Sequence, residues 1–219
     1  RHGTTCYHAT EETDFVMATI SQALAIALQH HQAGRLDMAE EIYRRILALE
    51  PNQPDAWHLL GLVAHQVGKH EIAVEHIGRA TELRGNEPDF HNSMGAAYRA
   101  LGMLPNAVAC HRRALELKPD CAEAHNNLGI ALKQQGQLDE AAVCYGRALQ
   151  LKPDYAHAHY NLGLALQQLG TLDEAIACYR RTLQLMPDFA EAHNSLGIAL
   201  KQQGKADEAI ACYRRAVAL

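Results

Sequence analysis

Two columns of glycine run through this chain at one fixed spacing. Gly61, Gly95, Gly129, Gly163 and Gly197 stand 34 residues apart, and so do Gly34, Gly68, Gly102, Gly136, Gly170 and Gly204. A period of that length means one supersecondary unit copied in series, so the fold has to place the copies equivalently. Six copies fit: 20–53, 54–87, 88–121, 122–155, 156–189 and an incomplete 190–219.

Each copy reads as two helices. In 122–155, Leu128, Gly129 and Leu132 form one apolar stripe, and Ala141, Tyr145, Ala148 and Leu149 form a second one beyond Gly136. Gly136 suits the left-handed residue that ends a helix, and Asp139-Glu140 suit the positive end of the next. Gly129, Ala141 and Ala148 are small where the two helices must approach closely. Pro119 bars continuation at the end of the preceding copy, and Asp120 is placed to cap the helix that follows, with Glu123 completing a capping-box spacing.

These residues, A-H-N-N-L-G at 124–129 followed by Ala141, Tyr145, Ala148 and Pro153, closely resemble the tetratricopeptide repeat family. The resemblance covers about 200 of the 219 residues. It implies an all-α, right-handed superhelical solenoid of six helix-turn-helix repeats whose first helices line a concave surface. Within that family the chain is most similar to the repeat arm of O-linked N-acetylglucosamine transferases. Departures fall early: Ala27 replaces the glycine of the first copy, and Gly85 replaces the proline that ends the second, which makes the junction of copies two and three the least regular.

Composition narrows the function. Residues 17–219 read as a single solenoid, 48% of the whole chain is hydrophobic, and no apolar run nears the roughly 18 residues that would suggest a membrane span. A net charge of −5 lacks the footprint of a nucleic-acid binder. His91, His125, His159 and His193 form a register, but equivalent residues of stacked copies lie about 10 Å apart, whereas a metal needs donors converging at about 2 Å. The register also coincides with the bulky packing position held by Trp57, so packing is expected of it and no metal. Cys110, Cys144, Cys178 and Cys212 form another column, too widely spaced for disulfides, and read as small buried hydrophobes. Free cysteines and the lack of a signal sequence point to a reducing, cytoplasmic setting. No nucleophile with its base, phosphate loop or paired carboxylates is apparent; this segment reads as non-catalytic and without cofactor.

What remains is the asparagine that recurs in NNLGIALKQQG and its near-copies. Counted around the helix from Leu128 and Gly129, Asn126 and Asn127 fall away from the second helix together with Ile130, Lys133 and Gln134. Asn161, Leu164, Gln167 and Gln168 extend this wall, as do Asn194, Ser195, Ile198, Lys201 and Gln202, while Asn92, Ser93, Ala96 and Arg99 begin it. An asparagine amide offers a donor and an acceptor, matching an extended peptide backbone, and asparagine is a poor helix former used here where lysine or glutamate would be more stable. The transferase resemblance implies such an amide ladder on Asn127 and Asn161, with Ser93 and Ser195 as weaker equivalents and Leu59 and Ala25 breaking it. A carboxylate clamp for chaperone tails is disfavoured by Asp89, Glu123 and Glu191. The candidate ligand-binding set is therefore Asn92, Arg99, Asn126, Asn127, Lys133, Gln134, Asn161, Gln168, Asn194 and Lys201, with a protein or peptide segment as partner.

The ends prompt further expectations. The last unit stops at Leu219 inside its second helix, where a solenoid edge needs a polar outer face. A longer protein, including a substrate-recruiting arm of a glycosyltransferase, and self-association through that edge are the two readings. Residues 1–16 have no helical period and read as an appended leader. Its Tyr7, Phe15, Glu11, Glu12 and Asp14 suit a groove holding Ile130, Leu164, Arg99, Lys133 or Lys201, either that of a neighbouring subunit, which would be self-association through the leader, or its own; a tail placed elsewhere is the alternative.

Overall fold

The computed structural model describes residues 19–219. The leader at 1–16, and the groove contacts expected of it, lie outside them. Among the described residues there are twelve helices and no strand. They are α1 (Ile20–Gln32), α2 (Leu36–Leu49), α3 (Pro54–Gln66), α4 (His70–Leu83), α5 (Pro88–Ala100), α6 (Leu104–Leu117), α7 (Ala122–Gln134), α8 (Leu138–Leu151), α9 (Ala156–Leu169), α10 (Leu172–Leu185), α11 (Ala190–Gln202) and α12 (Ala206–Ala218). Odd-numbered helices are the first of each repeat, and even-numbered ones the second.

The hairpin turn is set by one residue. Gly34, Gly68, Gly102, Gly136, Gly170 and Gly204 all have φ between 73° and 85°, a region that strains any residue with a Cβ. The amide after each glycine then returns to a carbonyl of the first helix, as from Gln137 to Leu132 at 3.0 Å.

The chain divides into two compact units, one ending at Ala97 and one running from Tyr98 to Leu219. The first is built on Ala23, Ala27, Ala39, Tyr43, Ile46, Ala56 and Leu60, with Trp57 and Leu59 packed at its margin. Its helix α1 opens with a full capping box: Gln22 N–H donates to Thr19 Oγ1 at 3.3 Å, and Thr19 N–H donates to Gln22 Oε1 at 2.8 Å. In the second unit, Leu128, Ala131, Leu132, Ala141 and Tyr145 form one cluster, and Ile176, Tyr179, Leu196, Ala199 and Leu200 another.

In the second unit the glycine of the first helix meets an aromatic ring of the second. A Cβ added at Gly129 would lie 2.6 Å from Cε1 of Tyr145, and the same distance separates Gly163 from Tyr179 and Gly197 from Tyr213. Ala141 and Ala148 are fully buried as expected, but the glycine is small because a tyrosine ring lies flat against it. In the first unit the partner of Gly61 is Ile77, at 2.5 Å.

Asp120 does not cap. The N-cap of α7 is Cys121, with no side-chain bond to the helix, so the Asp120–Glu123 capping box is absent. Asp120 instead accepts from Arg147 on α8 at 3.3 Å, and Asp188 does the same with Arg215 at 2.9 Å. A carboxylate one residue before the N-cap is out of reach of the first-turn amides but well placed for the second helix of the repeat that follows. The irregular junction of copies two and three keeps the usual turn: His91 Nε2 donates to the Gly85 carbonyl at 2.9 Å, and Arg84 holds Asp55 through two contacts of 3.1 Å.

Candidate functional site

The histidine register staples turns. His125, His159 and His193 each donate from Nε2 to the carbonyl of the proline six residues back, Pro119, Pro153 and Pro187, at 2.9 to 3.0 Å. In the first unit Trp57 Nε1 does the same to Pro51 at 2.8 Å. The histidines thus substitute for tryptophan by hydrogen-bond geometry as much as by bulk. The cysteine column is half-buried, and burial raises the thiols of Cys110, Cys144, Cys178 and Cys212 above their ordinary range, which makes them poor thiolates.

The asparagines belong to a second pattern, in which first helices of successive repeats bond side chain to side chain at a separation of 35 residues. In the second unit Asn161 Nδ2 donates to Asn126 Oδ1 at 3.0 Å, Tyr160 and Ser195 meet at 3.3 Å, and Gln167 Nε2 donates to Gln202 Oε1 at 3.0 Å. In the first unit His31 meets Gln66 at 3.1 Å and His58 meets Ser93 at 2.9 Å. The fifth residue of one first helix reaches the sixth of the next, and the twelfth reaches the thirteenth.

This pattern corrects the placing of Asn126. Expected on an open wall, it is 4% exposed, and its carbonyl is engaged by Asn161. Asn161 remains half-buried at the surface and uses one of its two N–H groups in that bond, so one N–H and its carbonyl are without a partner among the described residues. Asn127 and, in the first unit, Asn92 are half-buried and already interact within the protein. Gln134, Gln168, Asn194 and Lys201 are exposed; Arg99 and Lys133 are half-buried.

Between these polar groups lies an apolar row at the ninth residue of each first helix: half-buried Ile130 and Leu164, and Ile198, which is 40% exposed. Tyr160, which composition of the wall by repeat position did not single out, sits beside it. Its ring packs on Phe189 at 4.9 Å and Tyr179 at 5.9 Å between centroids, and with Glu191, Asn194 and Ser195 it lines a shallow recess of ≈ 450 Å³. The available signal was small: YNLG stands where the flanking copies have NNLG and NSLG.

Cations on the two sets of helices differ in their pairing. On the second helices Arg112, Arg147, Arg180 and Arg215 are each ion-paired, at 2.9 to 3.3 Å. On the first helices Lys133 and Lys201 have no ion pair among the described residues. Desolvation pushes the Lys133 ammonium below the ordinary lysine range, the signature of a cation partly withdrawn from water without a counter-charge.

A tetratricopeptide repeat model matches residues 21–63, another 54–87 and another 190–219, and a further repeat model of the same kind matches 95–136, 131–170 and 168–204. The chain belongs to the tetratricopeptide repeat family. No curated protein matches it significantly. Among solved structures it is similar to MamA, with 27% identity and a TM-score of 0.66 over 72% of this chain and 92% of that one. It shares its fold with the Cut9–Hcn1 hetero-tetramer of the APC/C (19% identity, TM-score 0.82, 91% of this chain and 40% of that one). The same holds for YrrB, described as a protein of this family with an unusual peptide-binding site (19% identity, TM-score 0.65, 80% and 90%). The family models that match are of the repeat itself and do not single out the transferase arm. No described helix is long and apolar enough to cross a membrane.

Proposed function

We propose that this protein is a non-catalytic interaction module whose row of first helices in the second unit, α7, α9 and α11, takes an extended segment of a partner protein. The observation that carries the reading is the composition of that row. Side-chain amides of Asn161, Gln134, Gln168 and Asn194 stand beside the apolar Ile130, Leu164 and Ile198, on helices whose own backbone groups are already bonded. Such amides match the unpaired N–H and C=O groups of an extended chain, and the apolar residues supply the area that binding needs. Membership of a repeat family that contains a peptide-binding structure supports the same reading. The carry-over of the ladder rests on Asn161 and Asn127, with the buried Asn126 acting behind it; Asn92 belongs to the wall of the first unit.

The test is a peptide array probed with the full chain and with the Ile198→Arg/Gln168→Ala variant. Both positions are exposed, so the variant is expected to fold with an unchanged far-UV spectrum. Loss of the captured spots is the expected result; an identical pattern from the folded variant overturns the reading.

A further inference from the structure

Deepening the reading above, on which it rests, we propose that the segment taken by α7, α9 and α11 is an acidic stretch in an extended, polyproline-II-like conformation. An apolar side chain at every third position meets Ile130, Leu164 and Ile198, and intervening carboxylates meet Lys133 and Lys201.

The period follows from spacing. Successive first helices are close enough to bond side chain to side chain at 3.0 to 3.3 Å, and packed helices lie about 8–10 Å apart. The apolar row therefore repeats at roughly that distance. A polyproline-II chain rises about 3.1 Å per residue with three residues per turn, so it returns the same face about every 9.3 Å, one apolar contact for each repeat. A β-strand returns the same face about every 6.7 Å and loses register after one contact. An α-helix has its backbone groups internally bonded and gives the exposed amides of Gln134, Gln168 and Asn194 nothing to do.

The charge follows from position along the helix. Lys133 and Lys201 lie three residues beyond Ile130 and Ile198, about 4.5 Å along the axis, whereas Glu123 and Glu191 lie seven residues before them, about 10.5 Å away. A segment laid on the apolar row is within direct reach of the lysines and beyond direct reach of the glutamates. In a chain of net charge −5, whose second-helix arginines Arg112, Arg147, Arg180 and Arg215 are already paired, these two lysines are cations left for a ligand. Gln167 stands in the same register between them and accepts from the Tyr179 hydroxyl at 2.8 Å, so the charged places are the outer two of three.

The experiment is fluorescence polarisation with the full chain and labelled nine-residue peptides, amidated so that no terminal carboxylate contributes. The first peptide has leucine at positions 1, 4 and 7, glutamate at 2, 5 and 8, and proline at the rest. The second has lysine for glutamate, the third glutamine for glutamate, and the fourth the same residues as the first with leucines at alternate positions. The first is expected to bind at least about tenfold tighter than the second and fourth, with an advantage over the third that shrinks as salt rises. In Lys133→Glu/Lys201→Glu the preference is expected to reverse toward the lysine peptide, which a merely structural role would not produce.

Equal binding of the acidic and basic peptides, or a preference unmoved by the charge reversal, overturns the proposal. If peptides bind regardless of charge or period yet the Ile198→Arg/Gln168→Ala variant loses them, the interaction reading stands and this inference fails. If no peptide binds and the array also shows no dependence on that variant, both fail.

Discussion

The two units reach the same hairpin by different residues. In the second, Gly129, Gly163 and Gly197 face Tyr145, Tyr179 and Tyr213, and histidines hold the proline carbonyls. In the first, Gly61 faces Ile77, the stapling residue of the second copy is Trp57, and Ala27 stands in the glycine column of a copy whose Tyr43 is fully buried. A glycine column alone would mark Ala27 as a defect. The repeat instead conserves the total fit of two facing positions, because close-packed interiors respond to summed volume and shape more than to the identity of one residue.

That comparison is broken most forcefully at Gly129. Gly129→Leu drives a branched side chain into the Tyr145 ring in the middle of the second unit, and is expected to cost about 3 kcal/mol or more, read as a fall in the urea midpoint at unchanged m-value. Gly129→Ala copies the Ala27 and Tyr43 arrangement of the first copy and is expected to cost about 1 kcal/mol. If the two variants melt alike, the ring is not the constraint.

Acid sharpens the comparison, because each unit carries a histidine whose proton affinity desolvation lowers strongly. Desolvation lowers His58 to about 4, where it stacks on Phe90 at 4.6 Å, and desolvation lowers His111 to about 4 in the second unit. Unfolded, each takes up a proton near 6.5, so between pH 6.5 and 4 the unfolded chain binds more protons. Stability is therefore full above about pH 6.5 and declines as pH falls toward 4, by up to about 3 kcal/mol for each histidine. Midpoints measured at pH 7.5 and 5.0 are expected to differ less in His111→Leu than in the wild type; an unchanged difference would rule out His111 as a contributor.

Smaller effects separate the turns from the face. His125→Ala removes the bond to the Pro119 carbonyl at an exposed turn and is expected to cost about 1 kcal/mol. Lys133→Ala is expected to cost less than about 0.5 kcal/mol while weakening peptide capture, since no folded-state ion pair is lost. A Lys133→Ala protein as destabilised as His125→Ala would mean that the lysine supports the fold.

How much of this was legible beforehand differs from residue to residue. Six copies of a helical hairpin, the left-handed glycines at 34, 68, 102, 136, 170 and 204, and the acidic first turn at Asp139 and Glu140 follow from the sequence. They are local matters: a period, a backbone conformation and a helix end are each set by a handful of consecutive residues. The exposed members of the wall, Gln134, Gln168, Asn194 and Lys201, were also placed by counting turns from Leu128 and Gly129, since helical periodicity fixes which side chains point away from the partner helix.

Whatever depends on the neighbouring helix was settled only by packing. Asn126 and Asn161 both read as wall residues, yet one is buried as an acceptor and the other remains at the surface, because the fifth residue of a first helix faces the next first helix while the sixth faces the one before. Asp120 reads as a cap and is an ion-pair partner because Arg147 lies on the helix returning beside it. Lys133 and Arg147 are both cations on repeat helices, and only the stacking of neighbours decides that the arginine finds a carboxylate while the lysine does not. Local periodicity says which way a side chain leaves its own helix; what it meets there is set by residues 27 to 35 positions away, whose approach is fixed by the fit of one hairpin on the next.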